Sequence, residues 1–522
     1  MNVAQLLAKQ AAIAGERAAI IDYPRGRQRV RSFRELAADS LGIAAQLAAA
    51  GLCPGDSVLV LVPMSAELYA VLNALFRLGL VAQFLDPAAG RHHIDACCAL
   101  KAPRAFIGSA AAHGLRCLAS GLRRIPLKFT TSGWVPGARR LHWNVPPQRE
   151  PALVPCTAAT PALLRFTSGS TGQPKAAVRT HGFLREQQRV IEQSLVLSPG
   201  DVDLSTLPIF VLANLASGVT SVIPHANLRA PGRIDAAPVV AQFKAHQPNR
   251  VSASPALLLR LAEHCARTGE TLGSLKWVFT GGAPVFPQVM DRLQEMAPRA
   301  EIIAVYGSTE AEPIAKLNRR EITSADRMAM LGGSGLLAGR PDPAIDLRIL
   351  HPETRSSDSG TTACAFAAPR LPMAAIGEVI VSGPHVQPGY LNGMGDHETK
   401  LKIDGVTWHK TGDAGYLDLH GRLWLLGRCQ ARIEDAVGTL YPFQVECAAL
   451  QHPAVRRAAL LAHRRQRWLI VELQKGAKKP GLSAELSWAH LDHIEFVREI
   501  PVDPRHNAKI DYPSLHKMLR HL

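Results

Sequence analysis

A run of hydroxyl and glycine residues, closed by a lysine, lies near the end of the first third of the chain. The strand-like segment Leu164-Arg165-Phe166, apolar except for its arginine, leads into it, and Pro174 and Lys175 end it. Glycines let backbone N–H groups turn toward anionic oxygens, hydroxyls add donors, and a lysine supplies compensating charge. The run is not a Walker A loop, which needs GxxxxGK[ST] before a helix. Taken alone, such a run is more often a flexible loop, but its residue types suit a polyphosphate site.

Two segments in the middle of the chain have residue types suited to a nucleotide. An apolar run ends in Tyr306-Gly307-Ser308-Thr309-Glu310. A flat aromatic ring offers a stacking face to a purine, and a carboxylate oxygen suits Mg²⁺ held by phosphates. Upstream, residues 280–284 combine small residues that let backbone approach a ligand. Taken alone, the acid is more often a solvated surface residue, and a simple turn explains the small residues equally well.

Three charged residues follow in the last quarter of the chain. Asp413 ends the segment 408–413, and its carboxylate has two acceptor oxygens, which suits a vicinal diol. Arg428 follows a leucine and a glycine, and Lys509 lies near the chain end in the segment 501–510. A lysine in so basic a chain usually faces solvent, and an aspartate after glycine often forms a turn. Their order behind the first two motifs favours a shared site.

In this order the segments resemble the motifs of the acyl-adenylate-forming (AMP-binding) enzymes over residues 164–510, about two thirds of the chain. The resemblance implies that ATP and Mg²⁺ are used to join a carboxylate to AMP with release of pyrophosphate. It also implies a large N-terminal domain with the nucleotide and acyl sites, residues 1–427, and a small mobile C-terminal lid, residues 428–522. The lid would rotate between the two half-reactions.

The resemblance also implies a role for each matching residue. Glu310 would bind Mg²⁺, the ring of Tyr306 would lie on adenine, and Asp413 would hold both ribose hydroxyls. The implied catalytic residues are Lys509, Glu310 and Thr309. The implied nucleotide-binding residues are Thr167, Ser168, Gly169, Ser170, Thr171, Gly172, Lys175, Gly281, Gly282, Ala283, Tyr306, Gly307, Ser308, Asp413 and Arg428.

Two positions depart from typical acyl-CoA ligases, which have an aspartate or lysine two residues after the hinge arginine and then a glycine-centred turn. Gln430 and Val437 stand there instead, and a β-branched side chain would crowd a thioester arm. Residues 438–440 and 505–510 resemble the β-lactone synthetases of bacterial olefin biosynthesis. That branch adenylates a β-hydroxy acid, whose own hydroxyl then attacks the acyl carbon and needs no second substrate.

Three functions compete. The first is a β-lactone synthetase acting on long-chain 2-alkyl-3-hydroxy acids, and the second is a fatty-acyl-CoA or acyl-carrier-protein ligase. The third is a catalytically inactive nucleotide-binding or scaffold protein, which the intact charged residues of the four motifs argue against. His181 lies just beyond the phosphate loop, and a structural role is expected there about as often as a chemical one. Val211 suggests an apolar acyl site, although core packing is the default explanation.

Composition limits the class of protein. A chain of 522 residues is longer than the chains that usually fold around a single hydrophobic core, so two or more domains are expected. Met1–Ile20 lacks the apolar core of a signal peptide, which predicts a cytoplasmic protein, and residues 69–85 are too short and too interrupted to span a bilayer. The net charge of +16 is spread in short arginine runs without interleaved aromatics. We therefore expect no nucleic acid partner and no integral membrane segment. Peripheral contact with an anionic bilayer or an acidic partner enzyme stays open. No pattern in the sequence indicates an oligomeric state.

Short apolar runs alternate with longer helical periodicity, which predicts an α/β fold with α+β elements and parallel sheets covered by helices. Loops are predicted over 132–161 and 351–376. The pattern changes after Leu426, where a compact C-terminal domain with a helix from about Pro442 is expected. The predicted strands are 57–62, 105–107, 277–279 and 302–306. The predicted helices are 33–51, 68–79, 184–195, 239–246 and 256–268.

Overall fold

The computed structural model of the chain describes residues 2–168, 174–351, 376–503 and 509–520. These residues form two compact units. The first contains Met1–His225 and Pro384–Lys400, and the second contains Ala226–Gly383 and Leu401–Leu522. Each unit has parallel strands covered by helices, which confirms the predicted α/β class. The domain boundary between residues 427 and 428 stays a prediction.

The first unit contains most of the helices of the N-terminal half and two groups of strands. Its elements are α1 (Ala4–Ile13), β1 (Ala18–Asp22), β2 (Arg29–Ser32), α2 (Phe33–Ala49), β3 (Ser57–Leu61), α3 (Ala66–Arg77), β4 (Val81–Phe84), α4 (Arg91–Leu100), β5 (Ala105–Gly108), α5 (Ala110–His113), α6 (Ser120–Arg124), β6 (Leu127–Thr130), β7 (Arg139–Arg140), β8 (Pro161–Ser168), β9 (Pro174–Thr180), α7 (His181–Ser194), β10 (Val202–Ser205), α8 (Pro208–Ser217), β11 (Thr220–Val222) and, near residue 400, α13 (Asp396–Thr399).

One sheet of the first unit has the strand order β7-β6-β5-β3-β4-β8-β9. All neighbours are parallel except β8 and β9, which form an antiparallel pair around the predicted phosphate loop. Val58, Leu59 and Val60 are almost fully buried, as expected for a parallel strand covered on both faces. The second group has the order β10-β11-β1-β2.

The second unit contains the following elements: α9 (Ala237–His246), β12 (Arg250–Ala253), α10 (Pro255–Thr268), β13 (Trp277–Gly281), α11 (Pro287–Met296), β14 (Glu301–Ser308), β15 (Ala311–Asn318), α12 (Ser324–Leu331), β16 (Leu336–Pro341), β17 (Asp346–Leu350), β18 (Gly377–Ser382), β19 (Lys400–Ile403), β20 (Val406–Leu417), β21 (Leu423–Arg428), β22 (Ile433–Asp435), β23 (Gly438–Leu440), α14 (Pro442–Leu450), β24 (Val455–His463), β25 (Gln466–Leu473), α15 (Leu482–Glu485), β26 (His493–Val497) and α16 (Tyr512–Leu519).

The large sheet of the second unit combines a parallel part with an antiparallel part. Its strands follow the order β17-β18-β20-β21-β16-β15-β14-β13-β12. β12, β13 and β14 are parallel, whereas the sheet from β14 through β15 to β17 is antiparallel. The carboxyl ends of β13 and β14 therefore lie side by side, which is where parallel sheets place ligands.

The C-terminal residues of the second unit have apolar cores of their own. β24, β25 and β26 form a three-stranded sheet whose successive side chains point to opposite faces. Leu460 and Leu469 pack in a cluster with residues of α14, whereas Leu461 and Ile470 pack in a cluster with residues of α16. The two helices thus pack on opposite faces of this sheet, and a separate C-terminal domain stays a prediction.

A buried acid in this C-terminal region gives a pH-dependent stability. Glu446 on α14 is 2% exposed and accepts hydrogen bonds from the Leu460 N–H at 3.0 Å and the Tyr512 hydroxyl at 2.9 Å. Burial raises the pKa of its carboxyl to about 7, although both hydrogen bonds oppose the rise. The folded state therefore holds a proton that the unfolded chain releases above about pH 4.5, so stability falls as the pH rises from there to about 7.

Replacing Glu446 by glutamine is expected to remove this pH dependence. The amide oxygen accepts the same two bonds without a charge, so Glu446→Gln should gain about 3 kcal/mol over the wild type at pH 8 and little at pH 5. Denaturant unfolding at both pH values measures the difference. Glu485→Gln, at an exposed acid on α15, should show no such gain, and an equal gain in both variants would contradict the explanation.

The predicted elements are confirmed where the structure describes them. The five predicted helices correspond to α2, α3, α7, α9 and α10, and the four predicted strands to β3, β5, β13 and β14. Residues 132–161 contain only the short strand β7 and the first residue of β8, and the predicted loop 351–376 lies largely outside the described residues. Within the described ranges, no helix combines the length and the apolar character that crossing a membrane requires.

Candidate active site

The predicted adenine and magnesium segment forms a hairpin rather than a turn at its glycine. β14 continues through Tyr306 to Ser308, which pairs with Ala311, so Thr309 and Glu310 form the tip between β14 and β15. Gly307 lies at an irregularity in the pairing, where a Cβ would come within 2.9 Å of the Ala311 carbonyl oxygen. The Ser308 hydroxyl accepts the Glu310 N–H at 3.2 Å. The glycine therefore permits a bulge, and the acid is presented at a hairpin tip.

The small residues at 281–283 lie at the end of β13, whose last residue is Gly281, next to the end of β14. Gly281 pairs with Val305, and a Cβ on Gly281 would lie 2.5 Å from the Val305 carbonyl oxygen. Packing against the neighbouring strand thus requires this glycine. Gly282 has φ +80° with open space where a Cβ would be, and Ala283 is half-buried. Both lie at the carboxyl edge beside the β14 segment that contains Tyr306.

Tyr306, Asp413 and Arg428 meet, although they are far apart in sequence. Asp413 lies on β20 opposite Arg428 on β21. The Tyr306 hydroxyl donates to Asp413 Oδ2 at 2.7 Å, and Arg428 Nε lies 3.4 Å from Asp413 Oδ1. Asp413 is therefore part of a strand and not a turn. The structure brings together one aromatic ring, one carboxylate and one guanidinium.

Electrostatics link Lys509 to the same group. Burial raises the pKa of Asp413, and Arg428, the Tyr306 hydrogen bond and Lys509 act in the opposite direction. Lys509 itself is exposed, and its carbonyl accepts the Asp503 N–H at 2.8 Å beside the bridge between Val502 and Ile510. Burial and the neighbouring Asp413 also raise the pKa of Tyr306, so the phenol keeps its proton and donates to the carboxylate.

Two residues that support Asp413 were not predicted. The Thr411 hydroxyl accepts the Asp413 N–H at 3.1 Å and donates to the Val379 carbonyl at 2.8 Å. The Thr411 carbonyl accepts an Arg428 N–H at 2.9 Å. Glu378 accepts the Gly412 N–H at 3.2 Å and adds a negative charge that raises the pKa of Asp413. Thr411 lies inside the predicted motif, whereas the sequence around Glu378 contains no signal for this role.

In the first unit, Lys175 lies on a strand and not in the phosphate loop. It pairs with Thr167 across β8 and β9, and its ammonium forms an ion pair with Glu398. Its side chain crosses Gly395, where a Cβ would lie 2.5 Å from the lysine Cδ. The backbones of Thr167 and Ser168 end β8. Gly169, Ser170, Thr171 and Gly172 lie outside the described residues.

At His181 and Val211 the structure shows packing contacts. His181 is fully buried, and its Nδ1 accepts the Val3 N–H at 3.1 Å. Burial lowers its pKa to about 4, so the ring is neutral. Val211 on α8 is fully buried in the core of the first unit, whereas its neighbour Leu212 lines an apolar cavity among α1, α3, α7 and α8.

Val437 lies at the tip of the hairpin formed by β22 and β23, and it is 60% exposed. Asp435 Oδ1 accepts its N–H at 2.9 Å. The same aspartate is held by Arg467, with Nε–Oδ2 at 2.6 Å and a second nitrogen to Oδ1 at 2.7 Å. Such a bidentate pair fixes the hairpin on the C-terminal sheet.

Sequence comparisons define the class of protein. A family model described as AMP-binding enzyme matches residues 7–391. The chain belongs to the AMP-binding enzyme family, and it is an acyl-adenylate-forming ligase.

Two relatives and one solved structure show which proteins this chain is similar to. The olefin beta-lactone synthetase of Stenotrophomonas maltophilia (strain K279a) is 32% identical over 514 residues, which cover 92% of this chain and 90% of the relative. That of Xanthomonas campestris pv. campestris is 33% identical over 516 residues, covering 93% and 90%. The solved structure of the amide bond synthetase McbA from Marinactinospora thermotolerans has the same fold, with a TM-score of 0.81, 22% identity and 99% of each chain covered. The resemblance to adenylate-forming enzymes and to the β-lactone synthetase branch is confirmed.

Proposed function

We propose that this enzyme uses ATP and Mg²⁺ to convert a long-chain 2-alkyl-3-hydroxy acid to its acyl-AMP and then closes the acyl-AMP to a β-lactone. The observation that carries the adenylation half is the meeting of Tyr306, Asp413 and Arg428, with Lys509 close enough to affect the pKa of Asp413. Support for ring closure comes from the similarity to two olefin beta-lactone synthetases over most of the chain.

In the first half-reaction, a carboxylate oxygen of the acid attacks the α-phosphorus of ATP, and the bond to pyrophosphate breaks. Asp413 would accept hydrogen bonds from the two ribose hydroxyls, with Arg428 beside it, and Tyr306 would contact the adenine. Negative charge grows on the phosphoryl oxygens, where Thr309 and Lys509 would act. A charge placed where charge develops lowers the barrier more than it strengthens substrate binding.

Two charged residues, Lys175 and Glu310, would act on the phosphate groups. The strands β8 and β9 flank the predicted phosphate loop, and Lys175, paired with Glu398, would balance phosphate charge. Glu310 at the hairpin tip fits Mg²⁺, because one carboxylate plus phosphate oxygens is a usual donor set for nucleotide-bound magnesium. When bound, the ion neutralises phosphate charge and favours departure of pyrophosphate.

In the second half-reaction, the 3-hydroxyl oxygen attacks the acyl carbon, AMP leaves with the bonding electrons, and the hydroxyl proton passes to solvent. The nucleophile and the carbonyl belong to one molecule, so binding in one conformation supplies the high effective concentration. The exposed Val437 and Gln430, in positions where CoA ligases have other residues, favour this acceptor over CoA. A lid that moves between the half-reactions, residues 428–522, belongs to the same proposal.

Product analysis tests the proposal directly. The enzyme is incubated with ATP, Mg²⁺ and either a 2-alkyl-3-hydroxy acid, the matched 2-alkyl acid without the hydroxyl, or a plain fatty acid, each with and without CoA. We expect pyrophosphate release and a β-lactone, identified by NMR, from the hydroxy acid without CoA. The matched acid should give acyl-AMP and no lactone.

The second function, a fatty-acyl-CoA or acyl-carrier-protein ligase, predicts another outcome. If the plain fatty acid gives a thioester only when CoA or a carrier protein is present, the enzyme is a ligase of this kind and the proposed ring closure is wrong. The proposed adenylation step would still hold. ATP binding without pyrophosphate release for any acid would favour the inactive nucleotide-binding protein.

A further inference from the structure

One stretch of the chain contains basic residues and no acidic ones. Between residues 96 and 149 there is no aspartate or glutamate, whereas nine lysines and arginines occur. At the chain's average of 43 acidic residues in 522, a stretch of this length would contain about four. The general basicity of the protein therefore does not explain it. The stretch contains β5, α5, α6, β6 and β7, at one end of the seven-stranded sheet.

Five arginines of this stretch lie on elements that adjoin one another. β7, the edge strand, contributes two exposed arginines and pairs with β6. The 3₁₀ turn at residues 114–117 packs against α6, which contributes two more. The fifth arginine donates to the Pro136 carbonyl at 3.0 Å and so connects this turn with the loop before β7. We call this surface the basic edge, and it consists of Arg116, Arg123, Arg124, Arg139 and Arg140.

Two large apolar side chains project from the basic edge. Trp134, two residues before Pro136, is 83% exposed, and Leu118, two residues after Arg116, is 67% exposed. Charged residues on an edge strand are common, because they prevent pairing with other chains. That role does not account for an exposed tryptophan and leucine on the two segments that Arg116 connects. The nearby acid Asp95 is half-buried and accepts the Gly121 N–H at 2.6 Å.

We propose that the basic edge binds the surface of an anionic lipid bilayer. Trp134 and Leu118 enter the headgroup region, where amphipathic rings and aliphatic side chains are stable, and the arginines pair with lipid phosphates. A nucleic acid would use several stacking faces, whereas this surface presents the aliphatic Leu118 beside the ring of Trp134. This surface lies outside the predicted active-site residues, so the proposal holds whichever acid the enzyme activates.

Vesicle co-sedimentation of the full chain tests the charged part. The probes are vesicles of phosphatidylcholine alone and of phosphatidylcholine mixed with phosphatidylglycerol. We expect binding to the mixed vesicles only, weakened by added salt and weakened at least about tenfold in the double variant Arg139→Glu, Arg140→Glu. The matched control is Arg464→Glu, Arg465→Glu, which makes the same charge change at the exposed tip between β24 and β25 and should keep most of the binding.

The apolar part has its own variant. Trp134→Ser should weaken binding to mixed vesicles and remove the quenching of tryptophan fluorescence by brominated lipids, whereas Leu419→Ser, at a side chain that is 72% exposed elsewhere, should change neither. Pyrophosphate release with a soluble acid shows that each variant is folded. Three results would overturn the proposal: no binding to mixed vesicles at low salt, equal losses in both arginine double variants, or full binding by Trp134→Ser.

Discussion

Replacing Lys509 by alanine is expected to reduce the rate of pyrophosphate release by about a hundredfold to a thousandfold. Charge develops on the phosphoryl oxygens only as the carboxylate attacks, so a lysine placed there acts on the transition state more than on bound ATP. We therefore expect the Kd for ATP to change by a few-fold at most. Stopped-flow measurement of pyrophosphate release and equilibrium binding of ATP give the two quantities.

A matched lysine separates this role from the loss of one positive charge. Lys517 is an exposed lysine on α16, close in sequence to Lys509, and Lys517→Ala should leave pyrophosphate release unchanged. Because Lys509 is exposed as well, both variants should unfold at the wild-type temperature. Unchanged release in Lys509→Ala, or equal losses in the two variants, would remove Lys509 from the catalytic step.

Local sequence signals predicted many helices and strands of both units well. The helix α2 begins after Ser32, whose hydroxyl accepts the Glu35 N–H, while the Glu35 carboxylate accepts the Ser32 N–H. Such a capping box is visible in the sequence, because both partners lie within one turn. The buried strands β3, β13 and β14 are short apolar runs, which is typical of parallel sheets.

The position of the turn after Tyr306 could not be predicted from the same kind of signal. A glycine in a strand marks either a turn or a bulge, and the choice depends on how the next strand pairs. Here Ser308 pairs with Ala311, so the strand continues past Gly307. Similarly, Gly281 is required by the carbonyl of Val305 on the adjacent strand. Only the sheet register reveals either reason.

Long-range partners were the other gap. Glu398 reaches Lys175 because residues 384–400 belong to the first unit, although they are separated from it in sequence. Glu378 reaches the backbone before Asp413 through the pairing of β18 with β20. An acid that works through a distant partner leaves no periodic pattern in its own segment, so the sequence offers no way to choose it among 43 acidic residues.

Two aspartates near the end of β20 make the second large prediction. Asp413 and Asp418 lie five residues apart, and their pKa values shift in opposite directions. Burial raises the pKa of Asp413. Burial also acts to raise that of Asp418, but hydrogen bonds from Trp424 at 3.0 Å and Arg422 at 2.7 Å outweigh it and lower the pKa. The ionised form is therefore unfavourable in the fold at Asp413 and favourable at Asp418.

The signs decide what each asparagine variant should do. A raised pKa means that stability is lost as the pH rises through it, so Asp413→Asn should keep or increase the unfolding temperature of the nucleotide-free protein at pH 7. A lowered pKa means that stability is lost as the pH falls, so Asp418→Asn should lower the unfolding temperature. Calorimetry at pH 7 without nucleotide measures both.

For ATP binding, we expect the larger effect in Asp413→Asn and little effect in Asp418→Asn. A carboxylate that accepts two ribose hydroxyls contributes charge-assisted hydrogen bonds, each about 1.5–3 kcal/mol, so Asp413→Asn should weaken ATP about tenfold to a hundredfold. Asp418→Asn should leave the Kd near the wild-type value. A partly buried carboxylate that costs stability and contributes to nucleotide affinity is typical of a functional group held in place by its fold. If Asp413→Asn lowers stability and leaves the Kd for ATP unchanged, Asp413 is a structural residue and the ribose assignment fails.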